Sequence, residues 1–248
     1  MSYERFAFLY DELMADAPYD QWIVFTKQKL AQYGVLGKHM LDLACGTGEL
    51  SVRFAKEGFA VTGVDLSTEM LSVAERKAED RGLTIPLYQQ DMAELEGLGP
   101  FDFIVIFCDS LNYLPDEKQV QKTFASVFSS LKKGGLLLFD VHSIEKINNG
   151  FINETFTLNE DHLAYIWNSF SGGFPYSVEH ELSFFVFDEQ SGKYDRIDEL
   201  HFQRTFPIEA YSRWLKEAGF EKIEVTADFS ETAPQPKSER LFFSAVKD

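Results

Sequence analysis

Two carboxylates and a pair of glycines carry the most chemical information in this chain. Asp42 stands in an apolar run that breaks at Leu-Ala-Cys-Gly-Thr-Gly over positions 43–48, and a second run, Ala-Val-Thr-Gly-Val-Asp over 60–65, ends in another acid. Gly46 and Gly48 lack a β-carbon, so the main chain can take positive φ there and let a ligand come against it. Asp65 follows Gly48 by 17 positions. That leaves room for one helix and one strand and puts the acid at the carboxyl end of a neighbouring strand, where it can accept from both hydroxyls of a ribose. The loop is not a dinucleotide fingerprint, because Ser51 occupies the place of the third glycine, and it lacks the Gly-Lys-Ser/Thr ending of a phosphate loop.

The elements that must hold these groups follow from periodicity. Phe6, Leu9, Tyr10 and Leu13, then Trp22, Ile23, Phe25 and Leu30, recur at helical spacing with a break at Ala17-Pro18, so two helices are expected between Tyr3 and Tyr33. Strands are expected at 39–43, 60–64, 84–89, 101–107 and, after a break at Gly134-Gly135, at 136–141. Helices alternate with them at 49–57, 68–80 and 118–131, the second capped by Ser67. A helix at 208–218 and strands at 222–226 and 240–246 close the chain. This alternation specifies an α/β, doubly wound, mainly parallel sheet with ligands outside the carboxyl ends of its strands. Residues 142–206 depart from the rhythm: alternating and aromatic runs at 163–170, 179–187 and 194–206 predict an inserted antiparallel β subdomain of three or four strands. The expected division is 1–141 with 207–248 as one binding domain, 1–35 forming a helical lid, and 142–206 as the insertion.

Asp42, Ala44, Gly46, Gly48 and Asp65 together resemble the signature of the class I S-adenosylmethionine-dependent methyltransferases of small-molecule type. The resemblance covers roughly the first 140 residues and the last 45. It implies a seven-stranded Rossmann-like sheet and S-adenosyl-L-methionine as cofactor. It further implies cofactor contacts from Cys45, Leu66, Met70 and Cys108, an adenine site at Asp91 and Met92, and a lid contact from Tyr10. Tyr10 and Met70 can also be read as core residues and Asp91 as a helix cap, while Trp22 reads as core. In the same family the segment Phe107-Cys108-Asp109-Ser110-Leu-Asn112-Tyr113 meets the methionine end of the cofactor and the acceptor. It lacks the Asn/Asp-Pro-Pro-Tyr arrangement used on planar amino groups, and Asp109 and Asn112 also suit a capped turn.

Methyl transfer is an in-line displacement that asks mainly for orientation in a dry cleft, so its catalytic signature is faint. Where the acceptor must lose a proton a base matters. His142 after the fifth strand is the best-placed candidate by family geometry, with His201 and Arg204 on the insertion as alternatives that could bind an anionic acceptor. Each also reads as ordinary surface, and Trp167, Phe170 and Tyr176 read as core. No His or Cys pair has metal-ligand spacing, so no metal is expected.

Bulk composition narrows the partners. The formal net charge of −17 and a pI near 4.7 repel a phosphate backbone and argue against nucleic acid. Cys45 and Cys108 fall at the ends of different strands and are expected to be reduced thiols. The opening Met-Ser-Tyr-Glu-Arg-Phe lacks a leader pattern and no apolar run spans a bilayer, so a cytosolic protein without membrane contact is expected, monomeric or homodimeric. The leading expectation is methylation of a small molecule. Other readings are a tRNA or protein methyltransferase, a sensor that binds the cofactor without turnover, or a nicotinamide oxidoreductase on the same sheet.

Overall fold

A computed structural model describes residues 9–248. The expected first helix begins before this range, so its residue Phe6 lies outside the described residues; positions 9–13 are helical. Helix α1, Tyr19–Tyr33, starts directly after Pro18 and ends at Gly34, whose φ of 70° closes it. Then come β1 (His39–Leu43), α2 (Glu49–Lys56), β2 (Ala60–Asp65), α3 (Thr68–Glu79), β3 (Leu87–Gln89) and β4 (Phe101–Ile106). A single turn at Ser110–Tyr113 leads to α4 (Glu117–Ser130) and β5 (Leu131–His142). After the second sheet, α5 (Ile208–Ala218), β10 (Glu221–Ala227) and β11 (Arg240–Lys247) complete the chain.

Seven strands form one sheet in the order β10-β11-β5-β4-β1-β2-β3, all running in one direction except β11, which is antiparallel to both of its neighbours, β5 and β10. Each central strand splits its side chains between two cores, as period-two geometry requires. Leu41, Leu43, Ile104, Ile106, Leu137 and Phe139 pack with Phe124 of α4 and Trp214 of α5. Met40, Phe103, Val105, Leu136 and Leu138 pack with Trp22, Phe25 and Leu30 of α1 and Phe54 of α2. Helices on both faces explain the unbroken apolar strands. Chain order reverses between β1 and β4, the position at which a doubly wound sheet opens a crevice.

The insertion forms a separate antiparallel sheet of four strands, β6 (Thr155–Asn159), β7 (Leu163–Ser171), β8 (Ser177–Asp188) and β9 (Lys193–Arg204). Three boundaries differ from expectation. Strand β5 begins at Leu131 and runs through Gly134-Gly135, because Leu131 pairs with Phe101 and the register shifts before Phe103 meets Leu136. Strand β3 is confined to Leu87–Gln89, and β6 is a short additional edge strand paired only with β7. No described helix is long and apolar enough to cross a membrane.

Candidate active site

The turn after β1 is built by main-chain conformation. Ala44, Gly46 and Gly48 hold φ values of 60°, 54° and 75°. The left-handed conformation costs a residue with a β-carbon of order 1–3 kcal/mol, and such positions collect at functional sites. Asp65 fastens this turn to the next strand: its Oδ2 accepts from Gly46 N at 2.8 Å and its Oδ1 from Ser67 N at 2.9 Å. A β-carbon at Gly46 would meet no atom within 4 Å, so the space before it is open; one at Gly48 would lie 2.8 Å from Ala74 Cβ on α3. Asp42 accepts from Ser51 Oγ at 2.5 Å and is 3% exposed. Burial pushes its carboxyl up to about 6, the neighbouring Asp65 adding to the rise and the Ser51 hydrogen bond opposing it. Burial also raises Asp65.

Between these groups and the end of β4 lies a cleft with about 380 Å³ of empty space, part of it open to solvent. Its walls include Asp42, Glu49 and the rings of Tyr10, Tyr19 and Phe107, and among the described residues none that line it is lysine or arginine. Carboxylates and aromatic faces without a cation suit a positively charged ligand and oppose a diphosphate.

Beneath the end of β4 runs a buried polar network. Cys108 and Asp109 also hold positive φ, 55° and 52°, which turns their amides toward Asp140. Asp140, fully buried at the end of β5, accepts from Trp22 Nε1 and Cys108 N at 2.9 Å, from Asp109 N at 3.0 Å, and from Arg240. Arg240 also donates to Asp109 Oδ1 at 3.0 Å, while Gln203 Nε2 donates to Asp109 Oδ2 at 2.8 Å and His142 Nε2 lies 3.3 Å from it. Burial works against ionising Asp109, yet the His142 ring and the Arg240 guanidinium hold its carboxyl well below the usual carboxylate range.

One face of the four-stranded sheet closes over this region. On β9, Ile197, Glu199, His201 and Gln203 share that face; Leu200, 67% exposed, lies on the other. Ile197 packs with Leu9, Leu163 and Phe184 in a cluster that Tyr10 and Met70 join, and the His201 ring meets the Tyr113 ring edge-on at 5.9 Å between centroids. Asn112 clamps the layers: its Nδ2 donates to Arg204 O and its Oδ1 accepts from His142 N, both at 2.9 Å. Positions 9–13 bridge them, with Asp11 accepting from Thr47 Oγ1 at 2.5 Å and from Lys77 Nζ at 2.7 Å, and Glu12 against His162.

Of the expected binding residues, Tyr10, Asp42, Ala44, Cys45, Gly46 and Cys108 line the cleft. Gly48 and Asp65 shape its floor. Leu66 is 67% exposed, Met70 packs toward the second sheet, and Met92 packs against the main core. Asp91 is exposed and caps a turn, its Oδ1 accepting from Ala93 N at 2.8 Å. Trp22 is core, 2% exposed. The three catalytic candidates separate: His142 is buried against Asp109 and edges a second cleft of about 500 Å³ with Lys146, Phe229 and Arg240, and His201 faces Tyr113. Arg204 lies over the rings of Phe206 and Phe174 at 4.6 and 5.2 Å, on the face away from His201. Cys45 and Cys108 are free thiols, and no group of three or more metal-ligating side chains occurs among the described residues. Sequence reading missed Tyr19, Thr47 and Glu49 as lining residues, and Glu199 and the Asp140–Arg240 pair as polar groups of the site. A charged residue amid the apolar run of β5 was the available signal for Asp140.

Residues 40–135 match a family model described as a methyltransferase domain. The whole chain is 54% identical, over the full length of both proteins, to a candidate methyltransferase of Geobacillus sp. (strain WCH70). It is 30% identical over 213 residues to the glycine/sarcosine N-methyltransferase of Halorhodospira halochloris, covering 84% of this chain and 74% of that one. Among solved structures, an S-adenosylmethionine-dependent methyltransferase from Clostridium acetobutylicum ATCC 824 superposes with a TM-score of 0.88 at 33% identity over 99% of both chains.

Proposed function

The chain belongs to the S-adenosylmethionine-dependent methyltransferases, and we propose that its acceptor is a small molecule held between the cleft and the four-stranded sheet. The cofactor, when bound, supplies an electrophilic methyl group on a sulfonium. This chain's residues orient and exclude water. In this reading the open space before Gly46 admits the ligand against main chain, while Asp42, Asp65 and the Tyr10 ring surround its polar and cationic parts. Cys45, Gly48 and Cys108 complete the cleft, and Leu66, Met70, Asp91 and Met92 form the adenine end.

The observation that carries the acceptor reading is the closure of a whole β-sheet face over the end of β4 through Gln203, His201 and Asn112. A sheet face packed there limits the room left for an acceptor, which favours a small substrate. The relative from Halorhodospira halochloris, named for transfer to glycine and sarcosine, supports the same size class. His201 is the proposed base: burial lowers its pKa, so the neutral imidazole that can take a proton predominates near neutral pH. His142 is assigned a positioning role through Asp109, and Arg204 none in the chemistry.

Radiolabelled S-adenosylmethionine incubated with the protein and a fractionated cell extract tests this. Label should appear in the fraction below the size of proteins and RNA. Label in acid-precipitable protein or in RNA, with none in small molecules, would overturn the acceptor assignment.

A further inference from the structure

The face of β9 that packs over the end of β4 carries a carboxylate, Glu199, one oxygen of which has no hydrogen-bond partner among the described residues. Glu199 lies between Ile197, which packs into the cluster joined by Tyr10, and His201, which meets Tyr113. Its cross-strand neighbour on β8 is Leu182, an apolar residue of the same cluster. Glu199 Oε1 is buried and accepts no hydrogen bond from any described residue. Burial raises the pKa of this carboxyl. A desolvated carboxylate oxygen without a donor is costly, and a donor brought by a ligand would relieve that cost.

The cations near this face are committed elsewhere. Arg240 is held by Asp109 and Asp140, and Arg204 sits on the outer side over Phe174 and Phe206. Among the described residues, an anionic acceptor would therefore meet Glu199 and Asp109 without a free guanidinium or ammonium to receive it.

Resting on the small-molecule reading above, we propose that Glu199 is the acceptor-recognising carboxylate and that the acceptor is a small amine whose protonated nitrogen donates to Glu199 Oε1. The ammonium supplies the hydrogen bond the oxygen lacks, and its charge is matched by the carboxylate. Tyr113 and His201 flank the anchored group and fix its direction toward the cleft. The acidic molecule, at −17, also draws a cation in from solution.

The test is calorimetric titration of the full-length protein saturated with S-adenosylhomocysteine. The probes are ethanolamine, glucosamine and putrescine, each beside its hydroxyl counterpart (ethylene glycol, glucose and butanediol) and its acid (glycolate, gluconate and succinate). At least one amine should bind more tightly than both of its counterparts. Glu199→Gln should weaken that binding roughly tenfold or more, the loss of one charge-assisted hydrogen bond. S-adenosylhomocysteine affinity, measured first on both proteins, reports whether the cofactor site itself stands. Failure of that first titration strikes the cofactor-site reading. Success there with no amine binding, with alcohols or acids bound as well as amines, or with Glu199→Gln retaining full amine affinity overturns the assignment of Glu199 alone. A drop in S-adenosylhomocysteine affinity in Glu199→Gln comparable to the drop for amines would also overturn it, since the carboxylate would then be serving the fold or the cofactor.

Discussion

Asp42 is kept at a cost that the ligand-free protein bears alone. Its carboxyl titrates at about 6 in the folded chain because burial disfavours the charge; an unfolded aspartate titrates near 3.9. Between these values the folded state keeps a proton that the unfolded state has released. Stability therefore declines as pH rises from about 4 to about 6, and above that the full penalty stands, on the order of 3 kcal/mol for a two-unit difference. Asp42→Asn keeps an acceptor for Ser51 and removes the charge. In urea titrations at pH 7.5 the variant should gain about 1–3 kcal/mol, a gain that shrinks by about half at pH 5; a pH-independent difference would mean that the charge is not the cause. The same variant should lose affinity for S-adenosylmethionine, whose sulfonium favours the ionised acid. In the wild type that affinity should rise with pH through about 6, and calorimetry in buffers of different ionisation enthalpy would detect the released proton.

At the level of the elements, two glycines of one turn do different work. Gly48 starts α2 where α3 passes so close that a β-carbon would stand 2.8 Å from Ala74 Cβ, whereas the space before Gly46 is empty of protein. Both positions have positive φ, so a side chain at either carries conformational strain, and only Gly48 adds a steric clash. Gly48→Ala should cost about 2–4 kcal/mol and lower Tm by roughly 5–12 °C in a chain of this size. Gly46→Val should lower Tm less, yet abolish measurable S-adenosylmethionine binding in a thermal-shift titration. Equal melting losses with retained binding in both would refute the division. The turn and its flanking elements were legible in the sequence because hydrophobic period, glycine spacing and strand-end acids all lie within 27 residues, positions 39–65. Strand β5 was misjudged at its start because Lys132-Lys133-Gly134-Gly135 has the composition of a turn, and only pairing with β4 overrides it. The Trp22–Asp140–Arg240 network joins positions 100 and 118 residues apart, which no local pattern can bring together. Glu199 was hidden for a related reason: strand alternation tells which residues share a face, but which face meets the cleft is decided by packing against residues 9–13 and 107–113.

For the whole molecule, the question is how a ligand reaches a cleft lying between two layers. The helical residues 9–13 span the opening: Leu9 packs with Leu163, Phe184 and Ile197 of the second sheet, while Asp11 grips Thr47 of the turn after β1 and Lys77 of α3. Tyr10, between these anchors, lines the cleft itself. A segment tied to both layers in this way acts as a gate, so weakening its polar tie should ease passage in both directions. In Asp11→Ala, Lys77 keeps Glu49 at 3.3 Å and the apolar anchors remain. The expected loss of closure is about 1 kcal/mol, which is roughly a fivefold rise in both association and dissociation rates of S-adenosylhomocysteine, with Kd within about twofold of wild type. Stopped-flow measurements using the fluorescence of Trp22 and the other tryptophans would read both rates. Faster release alone would show that Asp11 stabilises the bound state rather than the gate, and unchanged rates would show that ligands enter by another route.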